Sequence, residues 1–251
     1  MIRSLTERSD PVLESLLGRT SPIIKLAIAL AWLVGLATTT ELRPPLILAA
    51  AAMLAAVVLG EISPGRLVRT LGPLLVAAAT IGLTNLLFSG SNTDPAATVV
   101  VRAGSFRVTS EAVAAAAAIT ARVLAIVAVG GVFAQTTDPT RLVDSLVVQL
   151  RVPARFAYGA LAAYQAVPRL GDDLATLRQA RRVRGLGGGW HPRLLVGLLV
   201  RAIRHADQLA VAMDARGFGL PGRTFYRPIA WTPLDPIIGV AATAILVLAL
   251  R

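Results

Sequence analysis

The chain has 251 residues and a formal net charge of +11, and it is 55% hydrophobic and only 16% charged. This composition, with a mean hydropathy of +0.68, excludes an ordinary soluble domain and predicts an integral membrane protein. There is no cysteine and there are two histidines, so we expect neither a disulfide framework nor a bound metal ion.

Five apolar stretches predict membrane-spanning helices, because a bilayer core of about 30 Å needs roughly 20 helical residues. They lie at 23–40, 44–60, 67–88, 112–134 and 234–251. Pro233, Asp235 and Pro236 shorten the last stretch, so an interfacial helix is the alternative there. No cleavage signal accompanies the first stretch, and we expect it to remain in the mature protein.

The basic residues predict the orientation, since cytoplasmic loops retain Lys and Arg. With the N-terminus in the cytoplasm, twenty of the 25 basic residues lie on the inner side, fourteen of them between residues 135 and 228. We therefore expect a multi-pass protein of the cell membrane. Residues 89–111 become an external loop with a short hairpin near Ala103 and Gly104.

The same pattern divides the chain into three parts. We predict four transmembrane helices within 1–134, a cytoplasmic domain at 135–228 and a C-terminal membrane helix at 229–251. The fold class is thus an all-α membrane protein with about five transmembrane helices and a cytoplasmic domain of long amphipathic helices. That domain starts where Thr137 or Asp138 can cap a helix whose first turn holds Pro139.

Two long amphipathic helices are predicted after Pro153, from apolar residues that recur at spacings of three and four. The first stripe consists of Phe156, Ala160, Ala163, Val167, Leu170, Leu174 and Leu177. The second consists of Leu195, Leu199, Ala202, Ala206, Leu209 and Met213.

Each of these helices ends in an Arg-Gly pair, in Val183-Arg184-Gly185 and in Ala215-Arg216-Gly217. One interpretation is helix capping, because glycine accepts a left-handed conformation and arginine complements the helix dipole. However, one cap needs one cation, and Arg181 and Arg182 add two more before Arg184. The alternative is that exposed guanidinium groups bind carboxylates of a partner.

The runs "ARVLAIVAVGGVFAQTTDPTRLVDSL" and "RQARRVRGL" closely resemble the transmembrane T component of energy-coupling factor (ECF) transporters, the EcfT/CbiQ-like family. In that family, two coupling helices end in Ala-Arg-Gly or a similar X-Arg-X motif. The second motif is intact as Ala215-Arg216-Gly217. The first has the form Val183-Arg184-Gly185, and both Arg182 and Arg184 are candidates for its main contact.

The resemblance implies a non-catalytic scaffold subunit that binds no cofactor itself. Its implied partners are two ABC-type ATPase subunits, which bind ATP and Mg²⁺, and a membrane S component, which binds the substrate. The implied function is the uptake of a vitamin or a transition-metal ion. The arginines of the two motifs would contact the ATPase subunits.

A stand-alone membrane enzyme or channel is the alternative function. The chain has no GxxxxGK[ST] motif for binding ATP. Asp172-Asp173 has no second acidic cluster with which to form a magnesium site, so a solvated helix face is the preferred interpretation of that pair. Arg122 is a candidate pore charge or a residue that pairs within the membrane. We expect no nucleic-acid binding, because the arginines follow membrane topology.

Overall fold

The structure is a computed structural model that describes residue 12 and residues 15–93, 98–103, 106–187, 189–220 and 231–251. Gly104 of the predicted hairpin lies outside the described residues. So do four arginines that contribute to the predicted charge asymmetry, namely Arg3, Arg8, Arg223 and Arg227.

The described residues fold mainly into α-helices. In chain order these are α1 (Leu16–Arg19), α2 (Pro22–Thr38), α3 (Arg43–Val58), α4 (Pro64–Leu87), α5 (Ser110–Thr136), α6 (Pro139–Val148), α7 (Ala154–Val183), α8 (Pro192–Ala215) and α9 (Leu234–Ala249). A 3-10 turn at Gly90–Thr93 and two strands, β1 (Val99–Ala103) and β2 (Phe106–Thr109), lie between α4 and α5.

The predicted spans coincide with apolar helices. By length and composition, Pro64–Asn92 and Ser110–Thr136 are long enough to cross a membrane, and α2, α3 and α9 are shorter apolar helices of 17, 16 and 16 residues. The predicted all-α membrane class is therefore confirmed.

Polar side chains at helix starts accept hydrogen bonds from the first free backbone N–H groups. Ser63 caps α4 and Thr109 caps α5 in this way. At the start of α6, the backbone N–H of Arg141 donates to Oδ2 of Asp138 at 3.2 Å. The choice left open between Thr137 and Asp138 is thus decided in favour of Asp138.

The hairpin predicted between α4 and α5 is present. Strands β1 and β2 pair antiparallel, and Arg102 lies opposite Arg107. Asn92 links this hairpin to the preceding helix end, because its Nδ2 donates to the carbonyl of Leu86 at 2.8 Å and its Oδ1 accepts from the N–H of Thr109 at 3.1 Å.

Contacts among the helices divide the chain into two compact units, Met1–Leu142 with Ala230–Arg251, and Val143–Ile229. The first unit contains the apolar helices α2–α5 and α9, and the second contains α7 and α8. The predicted domain limits, at 134/135 and 228/229, concern membrane topology and stay predictions.

Helix α5 is central to the first unit and packs against α2, α3 and α4. Small residues line its buried side, which allows close approach of neighbouring helices. These residues are Ala112, Ala116, Ala118, Ala121, Ala125 and Ala128. Helices α4 and α5 come so close that a Cβ atom at Gly82 would overlap Thr120, and one at Gly131 would overlap Leu71.

A buried polar cluster joins the ends of three helices in this unit. The fully buried Asp235 carboxylate accepts from the backbone N–H of Ser21 at 2.7 Å and from that of Thr232 at 2.8 Å. Nearby, Nζ of Lys25 donates to the carbonyl of Thr136 at 2.6 Å. Buried charges need such partners, so the cluster fixes the last residue of α5 against α2 and α9.

Two arginines hold further helix ends through backbone carbonyls. Nη1 of Arg141, in the first turn of α6, donates to the carbonyl of Gly18 at 2.9 Å. Arg122 of α5 donates to the carbonyl of Thr39, which caps α2. Arg122, a candidate pore charge in the sequence, is thus bonded within the helix bundle.

The apolar stripe predicted for α7 is displaced in its first half. Ala157 and Leu161 are buried there, whereas the predicted stripe residues are exposed, namely Phe156, Ala160, Ala163 and Val167. The physical reason is α6, whose Val143 packs with Ala157 and Leu161 and so selects a different side of α7. In the second half, Leu170, Leu174 and Leu177 are half-buried as predicted.

The stripe predicted for α8 is likewise displaced at its start. Leu194 is buried, but Leu195 and Leu199 are exposed. The apolar arc of α8 is wider than the surface that α7 covers. Further along, Ala202, Leu209 and Met213 are half-buried, in agreement with the prediction, whereas Ala206 is exposed.

Candidate functional site

The end of α7 forms a regular cap around a left-handed glycine. Val183 is the last helical residue, Arg184 is the C-cap, and Gly185 follows with φ +68°. The N–H of Gly185 donates to the carbonyl of Arg182 at 3.0 Å, and that of Leu186 donates to Arg181 at 3.1 Å. These two bonds constitute a Schellman motif, which satisfies the last carbonyls of a helix. We call residues 181–186 the first tip.

The end of α8 repeats this geometry. Arg216 is the C-cap, and Gly217 follows with φ +69°. The N–H of Gly217 donates to the carbonyl of Asp214 at 2.9 Å, and that of Phe218 donates to Met213 at 3.0 Å. We call residues 213–218 the second tip. The backbone conformation and hydrogen bonds of the two tips correspond position by position.

This match distinguishes among the arginines of the first tip. Arg184 and Arg216 occupy the same position, immediately before the left-handed glycine. Arg182 corresponds to Asp214 instead. Nη2 of Arg181 donates to the carbonyl of Leu186 at 3.2 Å, so this guanidinium stabilises its own tip. The geometry therefore favours Arg184 over Arg182 as the counterpart of Arg216.

The predicted motif residues are exposed at both tips, except Arg181 and Gly217, which are half-buried. Arg182, Arg184 and Arg216 are exposed, and Val183 is 90% exposed. Ala215 is exposed as well. An arginine at such a position has its planar, five-donor fork available for a carboxylate, which it binds bidentately.

Helices α7 and α8 pack against each other before the two tips. A Cβ atom added at Gly197 would lie 3.4 Å from Cδ1 and Cδ2 of Leu177. In addition, Nη1 of Arg201 forms an ion pair with Oδ1 of Asp173 at 2.7 Å. Asp173 is therefore only half-buried and paired, whereas Asp172 is exposed. Asp172 agrees with the interpretation of the pair as a solvated helix face, and Asp173, whose side chain is 27% exposed, is partly solvated as well as paired.

The second tip has an additional support that the sequence analysis missed. The ring of Phe218 packs edge-to-face on Tyr158, with ring centroids 6.1 Å apart. The hydroxyl of Tyr158 donates to Oδ1 of Asp144 at 2.7 Å. This chain of contacts links the tip to α7 and α6 across 74 residues, and no local pattern signals a contact at that separation.

Among the described residues, no group of three or more Asp, Glu or His side chains is placed to hold a metal ion. The expectation that this chain binds no metal or cofactor stays a prediction.

Comparison with known proteins identifies the family. The cobalt transport protein family, CbiQ, matches residues 14–226. The chain belongs to the CbiQ family. The family resemblance that the motifs indicated is thus confirmed.

Two relatives of this CbiQ protein carry the name energy-coupling factor transporter transmembrane protein EcfT. The one from Heliobacterium modesticaldum is 28% identical over 99% of this chain and 97% of its own length. The one from Limosilactobacillus fermentum is 32% identical over 66% and 67%, respectively. Together with the family match, these names identify the chain as the transmembrane T component of an ECF transporter. They describe membrane subunits of transporters and support a non-catalytic role.

A third relative has a different name. The putative ABC transporter ATP-binding protein BL0043 of Bifidobacterium longum is 26% identical over 90% of this chain, but only 30% of its own length is covered. A segment similar to this CbiQ protein therefore forms about 30% of a longer polypeptide that is named for ATP binding.

Proposed function

We propose that this T component couples ATP hydrolysis by two cytoplasmic ABC-type ATPase subunits to the movement of a membrane S component. The S component binds the substrate, a vitamin or a transition-metal ion, and releases it inside the cell. ATP and Mg²⁺ bind to the ATPase subunits, and this chain binds no cofactor. The stand-alone enzyme or channel is set aside, because the named relatives are transporter subunits.

The observation that carries the proposal is the identical geometry of the two tips. Two helices of one chain each end in an exposed arginine held by a Schellman motif. A capping role alone accounts for the glycines, but it does not require an exposed guanidinium at the same position twice. Two equivalent arginines suit two partner subunits, each offering a carboxylate to Arg184 or Arg216.

The ATP-binding relative adds independent support. In BL0043, a T-like segment and the remainder of an ATP-binding protein belong to one chain. Fusion in one relative is consistent with physical association of separate subunits in another. We therefore assign the partners of the two tips to the ATPase class.

The S component has a suitable docking surface on the exposed apolar residues of the second unit. On α8 these are Leu195, Leu199 and Ile203, which follow one another at intervals of four residues. Phe156 and Val167 of α7 are exposed as well. Large exposed apolar surfaces are typical of protein or membrane contacts rather than of free solvent.

The double variant Arg184→Glu with Arg216→Glu tests the coupling assignment. We expect recovery of ATPase subunits with the tagged chain to fall at least tenfold and uptake to be lost. Charge reversal replaces two attractive contacts with repulsion, and interface arginines frequently contribute about 2 kcal/mol or more. The measurement is quantitative mass spectrometry of the complex isolated in mild detergent, together with uptake in cells.

Arg204→Glu is the matched control, because Arg204 is an exposed arginine of α8 outside both tips. It should retain both the ATPase subunits and uptake. Full uptake by the double variant would contradict the assignment of Arg184 and Arg216 as coupling residues.

A further inference from the structure

The two tips have the same backbone but different charges. At the position two residues before the shared arginine, the first tip has Arg182 and the second has Asp214. One residue earlier the pair is Arg181 and Met213. The first tip therefore contains three arginines and no acidic residue, whereas the second contains one arginine and one aspartate.

The difference is displayed to any partner, because Arg182 and Asp214 are both exposed. Each lies close in sequence to the shared arginine, at the same place in an identical cap. A surface that presents only carboxylates attracts Arg182 and repels Asp214. Unfavourable juxtaposition of like charges is a common source of specificity at interfaces.

The apolar surroundings of the tips differ as well. The first tip exposes Val183 and Leu186, which are 90% and 60% exposed. At the corresponding positions the second tip has the small residue Ala215 and Phe218, whose ring packs against Tyr158. A partner of the first tip must therefore accommodate two aliphatic side chains that the second tip does not offer.

We propose that the two tips bind two different grooves, and that Arg182 and Asp214 determine which tip occupies which groove. The groove for the first tip carries carboxylates for both Arg184 and Arg182, beside an apolar pocket. The groove for the second tip carries a carboxylate for Arg216 and a cationic side chain for Asp214. This inference rests on the proposed function, and it requires ATPase subunits that are not identical at these surfaces.

Ala180 and Ala212 provide matched positions for a test. Both are exposed, and each lies four residues before the shared arginine of its tip. Each is replaced in turn by benzoylphenylalanine in the full chain, and the complex is cross-linked with light and isolated from native membranes. Mass spectrometry then identifies the cross-linked peptides.

Cross-links from the two positions to different ATPase polypeptides, with a surplus of acidic residues around the first site, are the expected result. Cross-links from both positions to the same peptide of a single ATPase would overturn the selectivity proposal and leave the proposed function intact. The absence of any ATPase cross-link from either position would contradict the proposed function itself.

The exchange of charges between the tips provides the second arm. In wild type, position 212 is expected to cross-link to one ATPase and position 180 to the other. In the variant with Arg182→Asp and Asp214→Arg, we expect cross-links from position 180 to the ATPase that position 212 reaches in wild type to rise at least tenfold above the wild-type level. The control Arg204→Glu should leave the distribution of cross-links between the two ATPases unchanged. If the exchange variant has the wild-type distribution of cross-links, Arg182 and Asp214 do not determine which groove each tip occupies.

Discussion

Gly185 and Gly217 place Arg184 and Arg216 through backbone conformation rather than through side-chain contacts. Their φ values of +68° and +69° lie in the left-handed region. A residue with a Cβ atom adopts this region at a cost of about 1–2 kcal/mol. The two glycines therefore turn the chain away directly after Arg184 and Arg216 and leave both guanidinium groups at the very end of a helix.

We predict that Gly185→Ala or Gly217→Ala loosens the corresponding tip by about 1 kcal/mol, since the left-handed conformation becomes strained. Backbone amides within three residues of the substitution should exchange with deuterium about fivefold faster, as followed by mass spectrometry. Gly171→Ala is the control, because Gly171 lies inside α7 with open space around it and alanine favours a helix. Equal exchange in wild type and in the tip variants would contradict the role of the glycines.

At the scale of elements, the second tip differs from the first in being held by α6 and α7. We predict that Tyr158→Ala, which removes both the ring contact with Phe218 and the hydrogen bond to Asp144, accelerates amide exchange in residues 213–218 and leaves residues 181–186 unchanged. Tyr158→Phe keeps the ring and should have the smaller effect, because a typical hydrogen bond contributes about 1 kcal/mol net. Tyr164→Ala is the control, since Tyr164 is an exposed tyrosine of the same helix. If Tyr158→Ala leaves residues 213–218 as protected as in wild type, the contacts of Tyr158 with Phe218 and Asp144 do not stabilise the second tip.

Helix positions and both tips were predictable because their signals are local. Apolar runs, Pro139 after Asp138 and the Arg-Gly endings are all contained within a few residues. The sides of α7 and α8 that become buried were predictable only in part, because a third helix, α6, covers the start of α7. Periodicity identifies an apolar arc, but the partner that covers it determines which part of the arc is buried.

At the scale of the whole molecule, the least predictable feature is the cluster that joins distant parts of the first unit. Asp235 binds the backbone of Ser21 across 214 residues, and Lys25 binds that of Thr136 across 111. Nothing in the sequence near Asp235 indicates a bond to Ser21, and nothing near Lys25 indicates one to Thr136. From the sequence alone, Asp235 is only an interruption of the last apolar run. In the structure, the same carboxylate joins the start of α9 to the start of α2.

The proposed orientation, with a cytoplasmic N-terminus, is open to a direct test because the chain has no cysteine of its own. Val100 of β1 is exposed and belongs to the predicted external loop, whereas Gln179 of α7 is exposed and belongs to the predicted cytoplasmic domain. A single cysteine at position 100 should react with a membrane-impermeant maleimide in intact cells. A single cysteine at position 179 should react only after the cells are opened, because the bilayer excludes the reagent. The reverse pattern would place both tips outside the cell, where they could not contact cytoplasmic ATPases, and would overturn the orientation and the coupling proposal together.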